Sequence, residues 1–259
     1  MPVRFYAQGA PSWWKYQLVS LANQRLPSRK LYFYDFLVDN GMFNFYKRGE
    51  RPLLDRWLEH LKRFVLEIDI RYKPENITII LPDWLHDPAF TLKAATHFLS
   101  RMLCKDYECL LVVHSSPSFG GYSRAALEAA SIPWATGLAA PLKLNCSRTA
   151  KNRRVIKLHC QQAIVEQVCS IASRHGLSCH GLGVALKPDH IKRLVGLGLT
   201  SFDSSSWTRP NSSIIEKMLG GRWSAKNSRE KDLFMKVVLQ RLSREVELEG
   251  VERTWSKRI

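Results

Sequence analysis

Three short segments place an aspartate directly after an apolar run. They are Val38-Asp39-Asn40-Gly41-Met42-Phe43, Leu81-Pro82-Asp83 and Thr200-Ser201-Phe202-Asp203-Ser204-Ser205-Ser206-Trp207-Thr208-Arg209-Pro210. Two carboxylates that flank a sugar can carry out substitution at its anomeric carbon. One attacks the carbon and holds the sugar covalently. The other moves protons to the departing group and from the incoming one. A third carboxylate can accept hydrogen bonds from donors on the departing group, and an aromatic side chain such as Phe43 can stack on a planar one.

Each residue also has an ordinary reading. A strand-end aspartate caps helices and forms turns, and Phe43 could equally lie in the core. Asp35 and Asp87 lack the context of the other three and read as structural. The run Ser204-Ser205-Ser206 has no Gly-x-Ser-x-Gly elbow, which discounts a serine nucleophile. His114 and His180 each read as a hydrogen-bonded pocket or core residue rather than a metal ligand. His159, Cys160, Cys169, Cys179 and His180 follow no standard metal-ligand spacing, and Cys104 with Cys109 is too isolated for a zinc knuckle. No metal and no cofactor are therefore expected.

The elements that would hold the aspartates alternate between strand and helix. Strands are expected at Val3–Ala7, Leu31–Asp39, Ile77–Leu81, Leu110–His114, Ile132–Leu138, Leu177–Val184 and Thr200–Ser206. Helices are expected at Trp14–Leu26, 53–68, from Pro88 to about Leu103, Ser123–Ala130, 161–175 closed by Gly176, and Pro188–Leu197. Strand and helix in alternation predict an α/β fold, a (β/α)₈ TIM barrel with an irregular or missing eighth strand. The length of 259 residues fits one such domain, with a basic helical extension from about residue 211. In that extension Asn227 and Glu230 resemble a capping box, and Leu233, Val237, Val238, Leu242 and Val246 form a stripe that would pack on the barrel.

With 39 Lys and Arg against 23 Asp and Glu, the formal charge is +16. That excess suggests a polyanionic partner, nucleic acid before an anionic membrane surface. Lys143, Arg148, Lys151, Arg153, Arg154 and Lys157 fall within fifteen residues that hold no acid, and we read them as phosphate contacts rather than a solvated face. A looser group is Arg222, Lys226, Arg229, Lys231 and Lys236. Trp13, Trp14, Trp207 and Trp223 could add stacking surface or core. No apolar stretch is long enough to span a bilayer, and the N-terminus lacks the apolar region of a signal peptide. A cytoplasmic location is the default expectation, and with it reduced cysteines.

These segments together resemble the tRNA-guanine transglycosylase superfamily, whose members exchange a guanine in nucleic acid for a 7-deazaguanine base. The stretch from Gly181-Leu182-Gly183-Val184 through Pro188-Asp189 and Phe202-Asp203 to Arg209 looks like the family's Gly-x-Gly strand end, Pro-Asp/Glu helix and Phe-Asp strand end. Asp39-Asn40-Gly41-Met42-Phe43-Asn44 resembles the Asp-Ser-Gly-Gly-Phe-Gln segment. Thr136-Gly137-Leu138 resembles a Gly-Gly-Leu turn.

The resemblance covers about residues 31–210 and implies roles. Asp203 would be the nucleophile and Asp39 the general acid/base. Asp83, Phe43, Gly137 and His180 would contact the base, and Arg209 would join the phosphate contacts. His180 stands where the family often has an apolar residue over the base, and no glutamine follows the fourth of the expected strands. The family's C-terminal zinc site has no counterpart, because no Cys or His follows His190. That departure tilts the expectation toward the DNA-acting 7-deazaguanine insertion enzymes, with DNA and a 7-deazaguanine base as partners. A tRNA substrate, a non-catalytic nucleic-acid-binding subunit of such an enzyme and a metal-dependent barrel hydrolase are the alternatives. Whether the chain forms a homo- or hetero-oligomer stays open.

Overall fold

The computed structural model describes residues 2–27, 34–85, 87–101, 107–116, 119–142, 153–204 and 228–251, with Arg101, 153–159 and 228–230 described by backbone alone. Eight parallel strands close into a barrel in sequence order. They are β1 (Arg4–Gln8), β2 (Tyr16–Ser20), β3 (Asp35–Asp39), β4 (Asn76–Ile80), β5 (Glu108–Val112), β6 (Gly137–Pro141), β7 (Ser178–Leu182) and β8 (Ser201–Ser204). Closure is made by β1 and β8, which pair from Arg4 with Ser201 to Ala7 with Ser204. The helices among the described residues are α1 (Met42–Arg48), α2 (Leu54–Tyr72), α3 (Pro88–Arg101), α4 (Gly121–Ala130), α5 (Arg153–Arg174), α6 (Pro188–Gly196) and α7 (Ser228–Leu242).

The eighth strand is not missing; it lies early in the chain. Residues 16–20, expected within a helix, form β2 and pair with both β1 and β3. All five residues of β2 are buried. Gln17 hides the strand in the sequence by interrupting its apolar run. Its amide instead donates to Trp14 O at 2.6 Å and Pro11 O at 3.2 Å, which satisfies it inside the core. The expected strand at Ile132–Leu138 is also displaced. Residues 131–136 form turn and loop, and β6 starts only at Gly137. Thr136 marks that start, accepting from Cys109 N at 2.7 Å.

The N-terminal mouth of the barrel carries a layer of paired charges. Lys15 Nζ lies 3.4 Å from Asp35 and 2.6 Å from Glu75, and Arg4 lies 3.4 Å from Glu108. Asn76 donates to Asp35 at 3.0 Å. Asp35 is therefore structural. So is Asp87, which accepts the Phe90 N–H at 3.0 Å at the start of α3 and pairs with Arg51 at 2.8 Å.

Phe234, Met235, Val238, Leu239 and Leu242 of α7 are buried and join the same hydrophobic core as the barrel residues. The buried face is thus turned by about one residue from the expected stripe, and Leu233 is 48% exposed. Beyond α7 the chain returns to β1: Val3 N donates to Glu247 O and Glu249 N to Val3 O. The suggested capping pair at Asn227 and Glu230 lies outside the described side chains.

The cysteines depart from the expectation of free thiols. Cys169 on α5 and Cys179 on β7 form a disulfide, with Cα atoms 5.4 Å apart. Residue 179 points away from the barrel axis toward the helix that covers its strand, which brings the two sulfurs together. Among the described residues no helix is long and apolar enough to cross a membrane.

Candidate active site

Asp39 is the last residue of β3, Asp83 follows β4 by three positions, and Asp203 lies near the end of β8. All three stand at the C-terminal end of the barrel, the end from which βα loops build sites. Among the described residues none of them forms an ion pair with Lys or Arg. The opposite end of the barrel pairs its carboxylates with Lys15 and Arg4, whereas among the described residues Asp39, Asp83 and Asp203 act as hydrogen-bond acceptors.

Local sequence holds Asp39 in place. Its Oδ1 accepts the Gly41 N–H at 3.0 Å, and its backbone carbonyl accepts from Leu21 N. Gly41 makes that turn with φ +76°, and a Cβ there would lie 3.1 Å from Ala22 N, so only glycine fits without strain. Burial raises the Asp39 pKa above the ordinary carboxylate range. The Gly41 N–H and the Ser20 hydroxyl oppose the rise, and the charges of Asp83 and Asp203 add to it. The last two effects place the three carboxylates within electrostatic reach of one another.

Asp83 is fixed through both oxygens. Asn40 Nδ2 donates to Oδ1 at 2.8 Å, and His114 Nε2 lies 2.8 Å from Oδ2. Asn40 also donates to Leu81 O at 2.7 Å and accepts the Met42 N–H at 2.7 Å. One buried amide therefore ties the β3 loop to the β4 loop. Asn40 and His114 hold this carboxylate, and the aspartate pattern did not single them out. The apolar run that ends at His114 was the available signal.

Asp203 is nearly buried. Its Oδ1 accepts the Gly183 N–H at 2.9 Å, and its carbonyl accepts from Val184 N at 2.9 Å. The second glycine of Gly181-Leu182-Gly183 thus serves the carboxylate directly, at φ +68°. His180 Nε2 lies 3.4 Å from the same oxygen.

The remaining expected site residues divide. Phe43 is not core: it is 44% exposed on α1, with Lys47 Nζ 4.5 Å from its ring centroid. His180 belongs to the site but lies wholly buried beneath Asp203, so it offers no surface to a base. Gly137 is placed at the opposite end of the barrel. It is the first residue of β6, paired with Leu110 and Ser178. A Cβ there would collide with the Ser178 side chain, so tight packing accounts for this glycine and base contact does not. Arg153, Arg154 and Lys157 open α5, which follows β6 and so starts at the carboxylate end. Arg148, Lys151 and Arg209 lie outside the described residues. Among the described residues no three His, Cys, Asp or Glu side chains gather as a metal site.

No family model matches the chain, and no curated protein does. Solved structures align at the level of the barrel. A mandelate oxidase variant with an FMN adduct is 12% identical, over 83% of this chain and 67% of its own, at a TM-score of 0.46. RipC from Yersinia pestis is 9% identical over 78% and 89%, at 0.38. Thiamine phosphate pyrophosphorylase from Pyrococcus furiosus is 12% identical over 93% and 97%, at 0.35.

Proposed function

We propose that this barrel is a base-exchange glycosyltransferase that replaces a guanine in nucleic acid with a 7-deazaguanine base, with DNA as the first substrate to test and tRNA as the second. One observation carries the reading. Asp39, a carboxyl group that burial holds toward its protonated form, stands within electrostatic reach of Asp203 at the C-terminal end of the barrel, and among the described residues neither pairs with Lys or Arg. A carboxyl group held toward its protonated form can act as the acid beside a second carboxylate that attacks.

In this reading Asp203 attacks C1′ of the target nucleoside. The C1′–N9 bond breaks, its electron pair passes to the base, and Asp39 supplies the proton with which guanine departs. The sugar stays on Asp203 as an ester, so the strand is never cut. The incoming base then gives its N9 proton to Asp39, attacks C1′ through N9 and releases the Asp203 carboxylate. Asp83, fixed by Asn40 and His114, accepts the N1–H and N2–H donors of either base. Phe43, exposed on the helix after Asp39, is a surface on which the extruded base can stack.

The deciding experiment incubates the protein with labelled guanine and either DNA or tRNA, then measures label in the polymer. Incorporation into one and not the other identifies the substrate. Folded protein that labels neither one would refute base exchange.

A further inference from the structure

His180 is the middle residue of β7, and its side chain is 0% exposed. Nδ1 lies 2.8 Å from Ser201 Oγ and Nε2 lies 3.4 Å from Asp203 Oδ1. Ser201 and Asp203 are two residues apart on β8, so both face the barrel interior. His180 is in register with Ser201 and spans the pair. Tyr6, the β1 residue in register with Asp203, closes the remaining side, with its ring edge-on to the imidazole at 6.1 Å. Of the two neutral tautomers, one suits these neighbours. The Ser201 hydroxyl donates to Nδ1, and Nε2–H donates to the carboxylate. The other tautomer would set a nitrogen lone pair against Asp203.

A carboxylate turns easily about its last torsion. Asp203 Oδ1 has two donors converging on it. The Gly183 N–H at 2.9 Å anchors it, and the longer imidazole contact steers it. We propose that His180 is a positioning residue for Asp203, holding Oδ1 from below so that Oδ2 is the oxygen presented to the sugar carbon. This inference rests on the base-exchange reading. A leucine in place of His180 would leave Oδ1 with the Gly183 N–H alone among the described donors.

The test compares His180→Gln, His180→Leu and Ser201→Ala with the wild-type protein. Glutamine reaches about as far as Nε2 and retains an N–H donor, whereas leucine fills the space without one. His180→Leu is expected to slow single-turnover formation of the covalent adduct by roughly 10- to 100-fold, the size of effect that misplacement of a reacting group produces. Nucleic-acid affinity should not change. His180→Gln should restore most of the rate, and Ser201→Ala, which frees the imidazole to turn, should fall between. A wild-type rate in His180→Leu overturns the proposal. Should His180→Leu fail to fold, a wild-type rate in Ser201→Ala together with a slow His180→Gln does so. Crystal structures of the two His180 variants supply a readout that needs no reaction. The Asp203 carboxylate should turn in His180→Leu and hold in His180→Gln, and an unchanged carboxylate in both overturns the proposal. If the wild-type protein forms no adduct, base exchange fails, and the carboxylate orientation still decides the positioning role.

Discussion

Asn40 Nδ2 donates to Asp83 Oδ1 at 2.8 Å, so the residue that follows Asp39 in the chain also fixes the carboxylate beyond the next strand. Three of its hydrogen bonds would be lost in Asn40→Ala: those to Leu81 O, Asp83 and the Met42 N–H. Leaving buried groups unpaired costs about 1–3 kcal/mol. Urea unfolding should show a loss of that size. Base exchange should fall as well, because Asp83 would keep His114 but lose its second anchor. A variant that loses stability but retains full exchange would separate Asn40 from the site.

Asp203→Asn tests the nucleophile. The amide is nearly isosteric and can still accept the Gly183 N–H, so folding and nucleic-acid binding should be retained. No covalent adduct should survive on a denaturing gel, because an amide oxygen is a poor nucleophile toward C1′. Normal adduct yield would move the role to another residue.

Asp39→Asn should separate stability from activity. The folded-state pKa of Asp39 is raised, chiefly by burial. The folded protein therefore holds this proton to higher pH than the unfolded chain does. The wild-type protein loses stability as pH rises from the unfolded value of about 3.9 through the folded value. An asparagine removes that slope, so Asp39→Asn should be more stable than wild type at pH 7. Exchange should fall by roughly 10²- to 10⁴-fold, the usual contribution of a general acid/base. In wild type the exchange rate should decline as pH rises through the same raised pKa. A variant less stable at pH 7 would show that the Asp39 carboxylate is held by more than the Gly41 and Ser20 donors.

His190 on α6 supplies an acid limb to stability. Its pKa is lowered to about 4, first by burial and then by Lys187 and Arg193. Nε2 lies 2.8 Å from Gln161 Oε1, and Nδ1 is buried with no partner among the described residues. The folded state thus resists a proton that the unfolded state accepts near its ordinary value. Stability contributed by this group is whole above that value and is lost as pH falls through it toward about 4. A shift of this size corresponds to roughly 3 kcal/mol at most. His190→Gln keeps a donor toward Gln161 without the titration. Its unfolding free energy, measured between neutral and acid pH, should fall less steeply than that of wild type. Parallel curves would mean that other groups set the acid limb.

Much of this architecture can be read from residue order, and the exceptions have physical causes. β4 and β5 announce themselves as apolar runs because a barrel strand is covered on both faces. β2 does not, because Gln17 is satisfied by loop carbonyls that no local pattern reveals. Asp39, Asp83 and Asp203 were visible because strand ends position them. Asn40 and His114 act across strands, through Asp83, and such contacts exist only once the barrel closes. Gly137 misled for a related reason. Its tripeptide suits a strand end, but the strand begins there, and the need for a glycine comes from Ser178 on the next strand. The disulfide between Cys169 and Cys179 depends on α5 lying over β7, and the spacing of ten residues does not reveal it.

The start of α5 is the last feature to test. Arg153 and Arg154 open the helix that follows β6, at the same barrel end as Asp203, within a run of six basic residues and no acid from Lys143 to Lys157. If these arginines neutralise phosphates, each lost contact should reduce the slope of log K against log salt by roughly 0.7–0.9. Arg153→Ala with Arg154→Ala should therefore weaken binding to all sequences alike and flatten that plot by about twice this amount. The first measurement is a salt titration of binding to two unrelated oligonucleotides. Weaker binding with an unchanged slope would assign the arginines to folding or base contacts. If neither affinity nor slope changes, the run is a solvated face and makes no phosphate contacts.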